Sequence, residues 1–288
     1  MQSATETFVA HRNLLFTVAY EMLGSAADAE DVLQETWLRW VDVDLDSVRD
    51  RRAYLVRIAT RQALTRLRTL RRRKEAYVGP WLPEPLLTVP DVAEDVELAD
   101  SVSMAMLLVL ETLAPVERAV FVLRDVFALE YGEIADAVEK SPAAVRQIAH
   151  RARAHVAARR PRKTVSPAQS RDAVAAFRRA LETGDLQRLL DMIAPDVVLL
   201  TDGGGIVRAA VEPVVGAAAV AGVLGRIGAA MSLGTAPVNG HTALLVRRDG
   251  VLDTVIAVRV DDGLITGLYA VRNPEKLSRV ERETAVRR

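Results

Sequence analysis

Cysteine is absent from the 288 residues, which excludes disulfides and thiolate zinc sites and fits a reducing compartment, the cytoplasm. Net charge is absent as well. The 38 lysines and arginines balance 38 aspartates and glutamates, and at first sight such a chain is a poor nucleic-acid binder. Long apolar runs are missing: the longest, Gly216 to Gly225, falls far short of the ~20 residues that span a bilayer. The start Met1-Gln2-Ser3-Ala4 lacks the basic-then-apolar pattern of a signal peptide. No membrane association is expected. What the chain has in quantity is apolar residues, 50% of the total, so a mainly disordered state is excluded and the length favours two domains.

The zero charge is an average over blocks. Residues 1–50 carry ten acids against three bases, and residues 51–74 carry ten bases and no acid. Residues 75–140 return to fourteen acids and three bases, then 141–163 hold seven bases and no acid. The remainder is nearly balanced, fifteen bases to fourteen acids. One basic block reads most simply as a solvated face; two, each on a helical pattern, point to phosphate-facing surfaces.

Apolar spacing organises the first half as helices. Ser25 with Asp28 predicts a capping-box start, followed by a stripe of Val32, Leu33, Thr36, Trp37 and Trp40. Asp31, Gln34, Glu35 and Leu38 form the other face. Val56, Ala59, Ala63, Leu67 and Leu70 define a second helix, with Arg57, Arg61, Arg68 and Arg72 on a separate stripe. Gly79, Pro80, Pro83, Pro85 and Pro90 then impose a linker. Within it, Trp81-Leu82 is an apolar pair that an ordinary solvated linker has little reason to carry, so it is expected to dock. Helical spacing resumes over Ser101 to Leu113 and from Pro115 to Leu123. Tyr131, Ile134 and Val138 mark a short helix, Glu139-Lys140 a tight turn, and Ser141-Pro142 the capped start of a basic helix. That layout predicts a helix-turn-helix.

Pro161 to Pro167 reads as a hinge. Beyond it, helices near Val174–Leu181 and Leu186–Ile193 precede a strand over Val197–Leu200. Asp202-Gly203-Gly204-Gly205 follows, read most simply as a flexible loop, and then a small helix after Gly216. Three strand-like runs end the chain, roughly 242–247, 251–260 and 264–271, joined at Asp249-Gly250 and Asp262-Gly263. Helices first and antiparallel strands last give an α+β domain separate from the helical part.

These residues carry a resemblance. Residues 5–160 resemble a bacterial extracytoplasmic-function sigma factor of the sigma-70 family, through 28-DAEDVLQETW-37, 54-YLVRIA-59, 66-RLR-68, 131-YGEIA-135 and 141-SPAAVR-146. Three further motifs, 77-YVGPWLPEP-85, 202-DGGG-205 and 273-NPEKL-277, resemble the signatures of the subfamily with a C-terminal SnoaL-like domain. Arg61 and Thr65 stand where that family often has Asn and Asp, and Glu275 where Asp is commoner.

The resemblance implies a multidomain chain: two all-α modules followed by an α+β SnoaL-like cone domain. Its expected parts are sigma region 2 at 1–76, a linker at 77–100, region 4 at 101–160, a hinge at 161–167, the cone domain at 168–277 and a tail at 278–288. It implies core RNA polymerase as a partner of Asp28, Asp31, Gln34, Glu35 and Leu38. Minus-ten DNA falls to Arg57, Thr60, Arg61, Arg68 and Arg72. Minus-thirty-five DNA falls to Ser141, Ala144, Arg146, Gln147, Arg151 and Arg153, with Arg146 and Gln147 suited to base edges and Arg151 and Arg153 to phosphate. Trp81, Leu82, Pro83, Glu84 and Pro85, Asp202, Gly203, Gly204 and Gly205, and Asn273, Pro274, Glu275, Lys276 and Leu277 are expected to regulate in cis by clamping the linker. An anti-sigma partner and a small-molecule ligand of the cone domain stay open.

An enzyme is the less favoured reading. His241, Asp202 and Asp253 are its candidate groups, but they form no recognisable nucleophile–base set, and no catalytic residue, cofactor or metal is expected. The alternative from another class is a ligand-responsive helix-turn-helix regulator that never joins polymerase.

Overall fold

The computed structural model of the chain describes residues 3–89, 96–159, 166–225 and 231–278, with 280, 284 and 286. They divide into two units that are discontinuous in sequence. Met1–Glu75 joins Met106–Arg160 in the first, and Ala76–Ala105 joins Pro161–Thr284 in the second. The expected linker is therefore part of the C-terminal unit. Residues 161–165 of the expected hinge, Pro90, and most of the tail lie outside the described residues.

Unit 1 begins with α1 (Ala4–Leu23), opened by a Ser3–Glu6 capping box and closed by Gly24 at φ 66°. In α2 (Ala26–Trp40), Ser25 accepts from the Asp28 backbone as expected, but the Asp28 carboxylate serves another partner. Helix α3 (Arg51–Glu75) starts where Asp50 accepts from the Ala53 amide. Its stripe of Val56, Ala59, Ala63, Leu67 and Leu70 is buried, as the spacing predicts. Trp40, fully buried, donates through its indole to the Ala4 carbonyl at 2.8 Å.

The second helical stretch breaks at Ser103 into α4 (Val96–Val102), which belongs to unit 2, and α5 (Met104–Glu111). Helix α6 (Pro115–Phe121) passes into a wider turn over Val122–Val126. Helix α7 (Tyr131–Val138) ends on Glu139 in the left-handed conformation (φ 56°), and Ser141 caps α8 (Pro142–Ala157). Val145, Ile148, Ala149, Ala152 and Val156 are buried, so the helix-turn-helix has the predicted inward face.

In unit 2, α9 (Pro167–Thr183), α10 (Leu186–Met192) and α11 (Ala217–Leu224) pack on a six-stranded sheet. The strands are β1 (Ile193–Asp202), β2 (Val214–Val215), β3 (Met231–Val238), β4 (His241–Arg248), β5 (Val251–Asp261) and β6 (Leu264–Val271), in the order β2-β1-β6-β5-β4-β3. Only the β1–β6 pair is parallel. Phe177 and Leu181 of α9, Leu189 of α10 and Leu224 of α11 meet Val197, Leu244, Ile256 and Leu268 of the sheet. A last short helix, α12 (Pro274–Leu277), follows β6.

The two expected Asp-Gly turns form, with Asp249 and Gly250, and Asp262 and Gly263, all at positive φ. Sequence reading misses strand β3 and the Asn239-Gly240 turn after it, also at positive φ. Gly234 and Pro237 look like breakers there, but β3 is an edge strand, where proline is tolerated.

Candidate functional site

Three groups of side chains are organised by these elements. The first is the exposed face of α2. Gln34, Glu35 and Leu38 are exposed and Asp31 is half-buried, and Leu38 is a large exposed apolar side chain. Asp28 does not share that face. It is buried, 2.7 Å from Arg66 Nε and 3.7 Å from Arg73. Arg66 also pairs with Asp31 and lies 3.9 Å from Glu35. Asp28 thus fastens α2 to α3, because a carboxylate desolvated by the bundle needs a cation beside it.

The second group is basic. On α3, Arg68 and Arg72 are exposed, while Arg57 is half-buried with its guanidinium 4.4 Å from the Tyr54 ring centre. Thr60 is fully buried and lies off this face, a correction that follows from its place between Val56 and Ala63 on the apolar stripe. Arg61 donates to the Asp136 carbonyl of α7 at 2.8 Å and lies 3.4 Å from Glu139. A cavity of about 360 Å³ opens beside Tyr54 and Arg57, and the acids Glu133 and Asp136 of α7 line it. Within unit 1, α7 therefore sits on part of the basic face of α3.

On α8, Ser141 is spent as the N-cap, accepting from the Ala144 amide at 3.2 Å. Arg146 and Gln147 are exposed in the first two turns, and Arg146 lies 5.5 Å from the Tyr131 ring centre. Ala144 is half-buried. Arg151 and Arg153 are exposed but already engaged: Arg153 with Asp125 at 2.6 Å, Arg151 with Glu117 at 3.9 Å. The hydrogen bond to Asp125, then one to Tyr131, holds the Arg153 pKa above its ordinary value.

The third group is a buried latch inside unit 2. The three motifs that stand far apart in sequence meet around Asp202, which is fully buried. Its carboxylate accepts from Lys276 Nζ at 2.7 Å, from the Leu82 amide at 2.9 Å and from the Tyr77 hydroxyl. Lys276, also buried, donates to the Leu82 carbonyl at 2.6 Å and stands 3.5 Å from the Trp81 ring centre. The Asn273 side chain donates to Tyr77 at 2.9 Å and caps α12 by accepting from the Glu275 amide. Pro274 takes the first helical position, and Leu277, Leu82, Pro83 and Pro85 are buried, with Glu84 half-buried. Burial, reinforced by the bond to Asp202, holds the Tyr77 phenol above its ordinary pKa, so it remains a donor.

The triple glycine is not the flexible loop its composition suggests. A Cβ on Gly203 would lie 2.3 Å from the Val207 carbonyl oxygen, and one on Gly204, at φ 64°, would lie 2.4 Å from the Asn273 amide nitrogen. Close approach dictates glycine here. Gly204→Ala is expected to cost more than about 1 kcal/mol and to displace Asn273. A thermal melt of the variant checks this; an unchanged melting temperature would contradict it.

Further along the linker, Asn239 exchanges hydrogen bonds with Leu86 (2.8 and 3.0 Å) and donates to the Val102 carbonyl at 2.9 Å. The Thr88 amide donates to the Pro237 carbonyl at 2.9 Å. The linker is thus bonded along the β3 end of the sheet. Asn239 and Thr88 are linker contacts that sequence reasoning passed over, with the Asn-Gly pair as the available signal; Tyr77 opens a motif singled out in the sequence but is not among the expected regulatory residues.

The candidate acid–base groups are not assembled. Asp202 serves the latch, Asp253 pairs with Arg272 and Arg248, and the His241 ring is buried, which lowers its pKa. Among the described residues no cluster of metal-ligating side chains exists, and no helix is long and apolar enough to cross a membrane.

A helical unit with a capped recognition helix, coupled in one chain to a cone-shaped α+β domain, defines a DNA-reading protein of the sigma-70 type. Residues 7–73 match the Sigma-70 region 2 family and residues 103–156 the Sigma-70 region 4 family. The chain is 35% identical to the ECF RNA polymerase sigma factor SigJ of Mycobacterium tuberculosis, over 94% of this chain and 92% of that protein. It is 33% identical to the probable ECF RNA polymerase sigma factor SigI of the same organism, over 95% and 94%. The crystal structure of M. tuberculosis SigJ superposes with a TM-score of 0.76 at 34% identity, covering 93% of this chain and 96% of that one. The chain belongs to the extracytoplasmic-function RNA polymerase sigma factors, with a SnoaL-like domain at its C-terminal end.

Proposed function

We propose that this sigma factor reads promoters through α3 and α8 and is regulated in cis by its own C-terminal unit, acting through residues 76–105. The exposed Gln34, Glu35 and Leu38 face is the proposed core-polymerase contact. Arg57, Arg68 and Arg72 are assigned to minus-ten phosphates, and Arg146 and Gln147 to minus-thirty-five base edges. The protein works in the cytoplasm and has no catalytic step of its own.

The observation that carries this reading is the buried Asp202–Lys276 latch, which fastens the one segment that joins the two promoter-reading modules. The minus-ten and minus-thirty-five elements lie about 25 base pairs apart, roughly 85 Å at 3.4 Å per base pair. Helices α3 and α7 touch, with Arg61 bonded to Asp136, so unit 1 must open before both elements are read. Once open, a free linker explores a large volume and its two ends lose effective concentration, whereas a docked linker keeps them at a defined separation.

Trp81→Ala tests the role of the latch without touching a DNA-facing residue. A pull-down with core RNA polymerase should be unaffected while run-off transcription falls. Unaltered transcription would refute the regulatory assignment, and failure to bind core polymerase by the unmodified chain would refute the sigma reading itself. On α8, Arg146→Ala should cost about 1–3 kcal/mol of discrimination at one minus-thirty-five position. Binding measured across a set of single-base promoter variants reads this directly; a uniform loss over all sequences would place Arg146 on phosphate instead.

A further inference from the structure

Unit 2 encloses a partly open cavity of about 560 Å³ that neither the latch nor the promoter-reading faces use. That size falls within the roughly 300–1,000 Å³ of small-molecule sites. Its walls are aliphatic: Leu199, Leu224, Val246, Ile256 and Ala270 contribute, and among the described residues no aromatic ring does. Its polar groups are few. Among the described lining residues, Arg208, Arg248 and Arg272 stand against one carboxylate, Asp253, with the Thr254 hydroxyl beside it.

The ion pairs leave this group short of negative charge. Arg272 meets Asp253 through Nη2 at 3.1 Å to both carboxylate oxygens, and Arg248 Nε is 3.5 Å from the same carboxylate. Thr254 donates to it at 2.6 Å. One carboxylate is shared between two guanidiniums, of which Arg272 is half-buried and Arg248 exposed at the cavity mouth, so the half-buried cation has only a shared counter-charge among the described residues. Arg272 is also half-buried and donates to the Arg208 carbonyl, so its position is fixed. A second carboxylate entering the cavity would complete a two-by-two arrangement, with charge-assisted bonds to a fork that is already oriented.

We infer that this cavity is a binding site for a small aliphatic or alicyclic acid, whose hydrocarbon body lies against Leu199, Val246, Ile256 and Ala270 and whose carboxylate is taken by Arg248 and Arg272. The site stands whether or not the cone unit regulates through the linker. It has a direct route to the latch: the backbone amides of Arg272 and Asn273 both donate to the Asp202 carbonyl, at 2.7 and 2.9 Å.

Titration calorimetry of the full chain with decanoate and with 1-decanol is the test. Decanoate should bind at least about tenfold more tightly than the alcohol, and Arg248→Gln should weaken decanoate about tenfold while leaving the alcohol unchanged. Ala270→Leu, which fills the apolar end, should weaken both ligands without lowering the melting temperature. Equal affinity for acid and alcohol would overturn the assignment of an anionic ligand. Absence of decanoate binding to the folded chain, or binding unaffected by Ala270→Leu, would overturn the site.

Discussion

Asp202→Ala is expected to destabilise unit 2 by about 3–5 kcal/mol, the loss typical of breaking a buried ion pair by removing one partner. The substitution removes the carboxylate beside Lys276, which is buried against the Leu82 carbonyl and the faces of Trp81 and Tyr77. It also leaves the Leu82 amide without its acceptor. The linker should then become cleavable by protease while α3 and α8 keep their protection. Asp202→Ala combined with Lys276→Met removes both charges and should recover much of the loss, since an apolar replacement of a whole buried pair is often close to neutral. Urea unfolding of the three proteins separates the cases. Equal stability of the single and double variants would mean that the pair contributes by packing and not by charge.

Glu111→Ala should have a comparable effect in unit 1, again about 3–5 kcal/mol. Glu111 is the shared anion of two cations: Lys74 Nζ at the end of α3 lies 2.5 Å away and Arg118 of α6 lies 3.1 Å away. Arg118, buried, donates in addition to the Met22 carbonyl of α1 at 2.8 Å. One carboxylate thus joins three helices across the two expected modules. Burial alone would raise the pKa of Glu111, but the two cations outweigh it and hold the group below the ordinary carboxylate range. Lys74 is also lowered, by burial first and then by the charge of Arg118, which together outweigh its bond to Glu111. The depressed carboxyl sets the sign of the pH dependence. Its stabilisation is complete above the unfolded-state pKa, near 4.3, and is lost as pH falls through the lower folded value. The acid limb of a stability-versus-pH curve should therefore flatten in Glu111→Ala. An unchanged limb would contradict the pairing.

Local rules made much of the fold legible. The buried stripe of α3, the Ser141 cap, the left-handed Glu139 turn and the Asp-Gly hairpins each follow from spacing or backbone chemistry within a few residues. What stayed hidden depends on partners distant in sequence. Asp28 and Thr60 look like surface residues by type, yet the bundle buries the first against Arg66 and the second in its apolar seam. Trp81-Leu82 and Asn273–Leu277 each look like apolar patches without a core because each is the other's core. The three glycines after Asp202 look flexible until the Asn273 side chain is placed against Gly204. The balance of 38 bases and 38 acids has a related explanation. Many acids are spent on internal pairs with cations of the basic blocks, as at Arg66, Lys74 and Arg153.

Cis regulation through a latched linker is the central claim, and run-off transcription by core polymerase reconstituted with the intact chain or with Asp202→Ala tests it most directly. The measurement should use a promoter carrying both elements, at protein concentrations where core binding is saturated. A several-fold fall in output with the variant, partly restored by adding Lys276→Met, is the expected result. Output equal to or above that of the intact chain, from a variant whose linker has become protease-sensitive, would contradict the account.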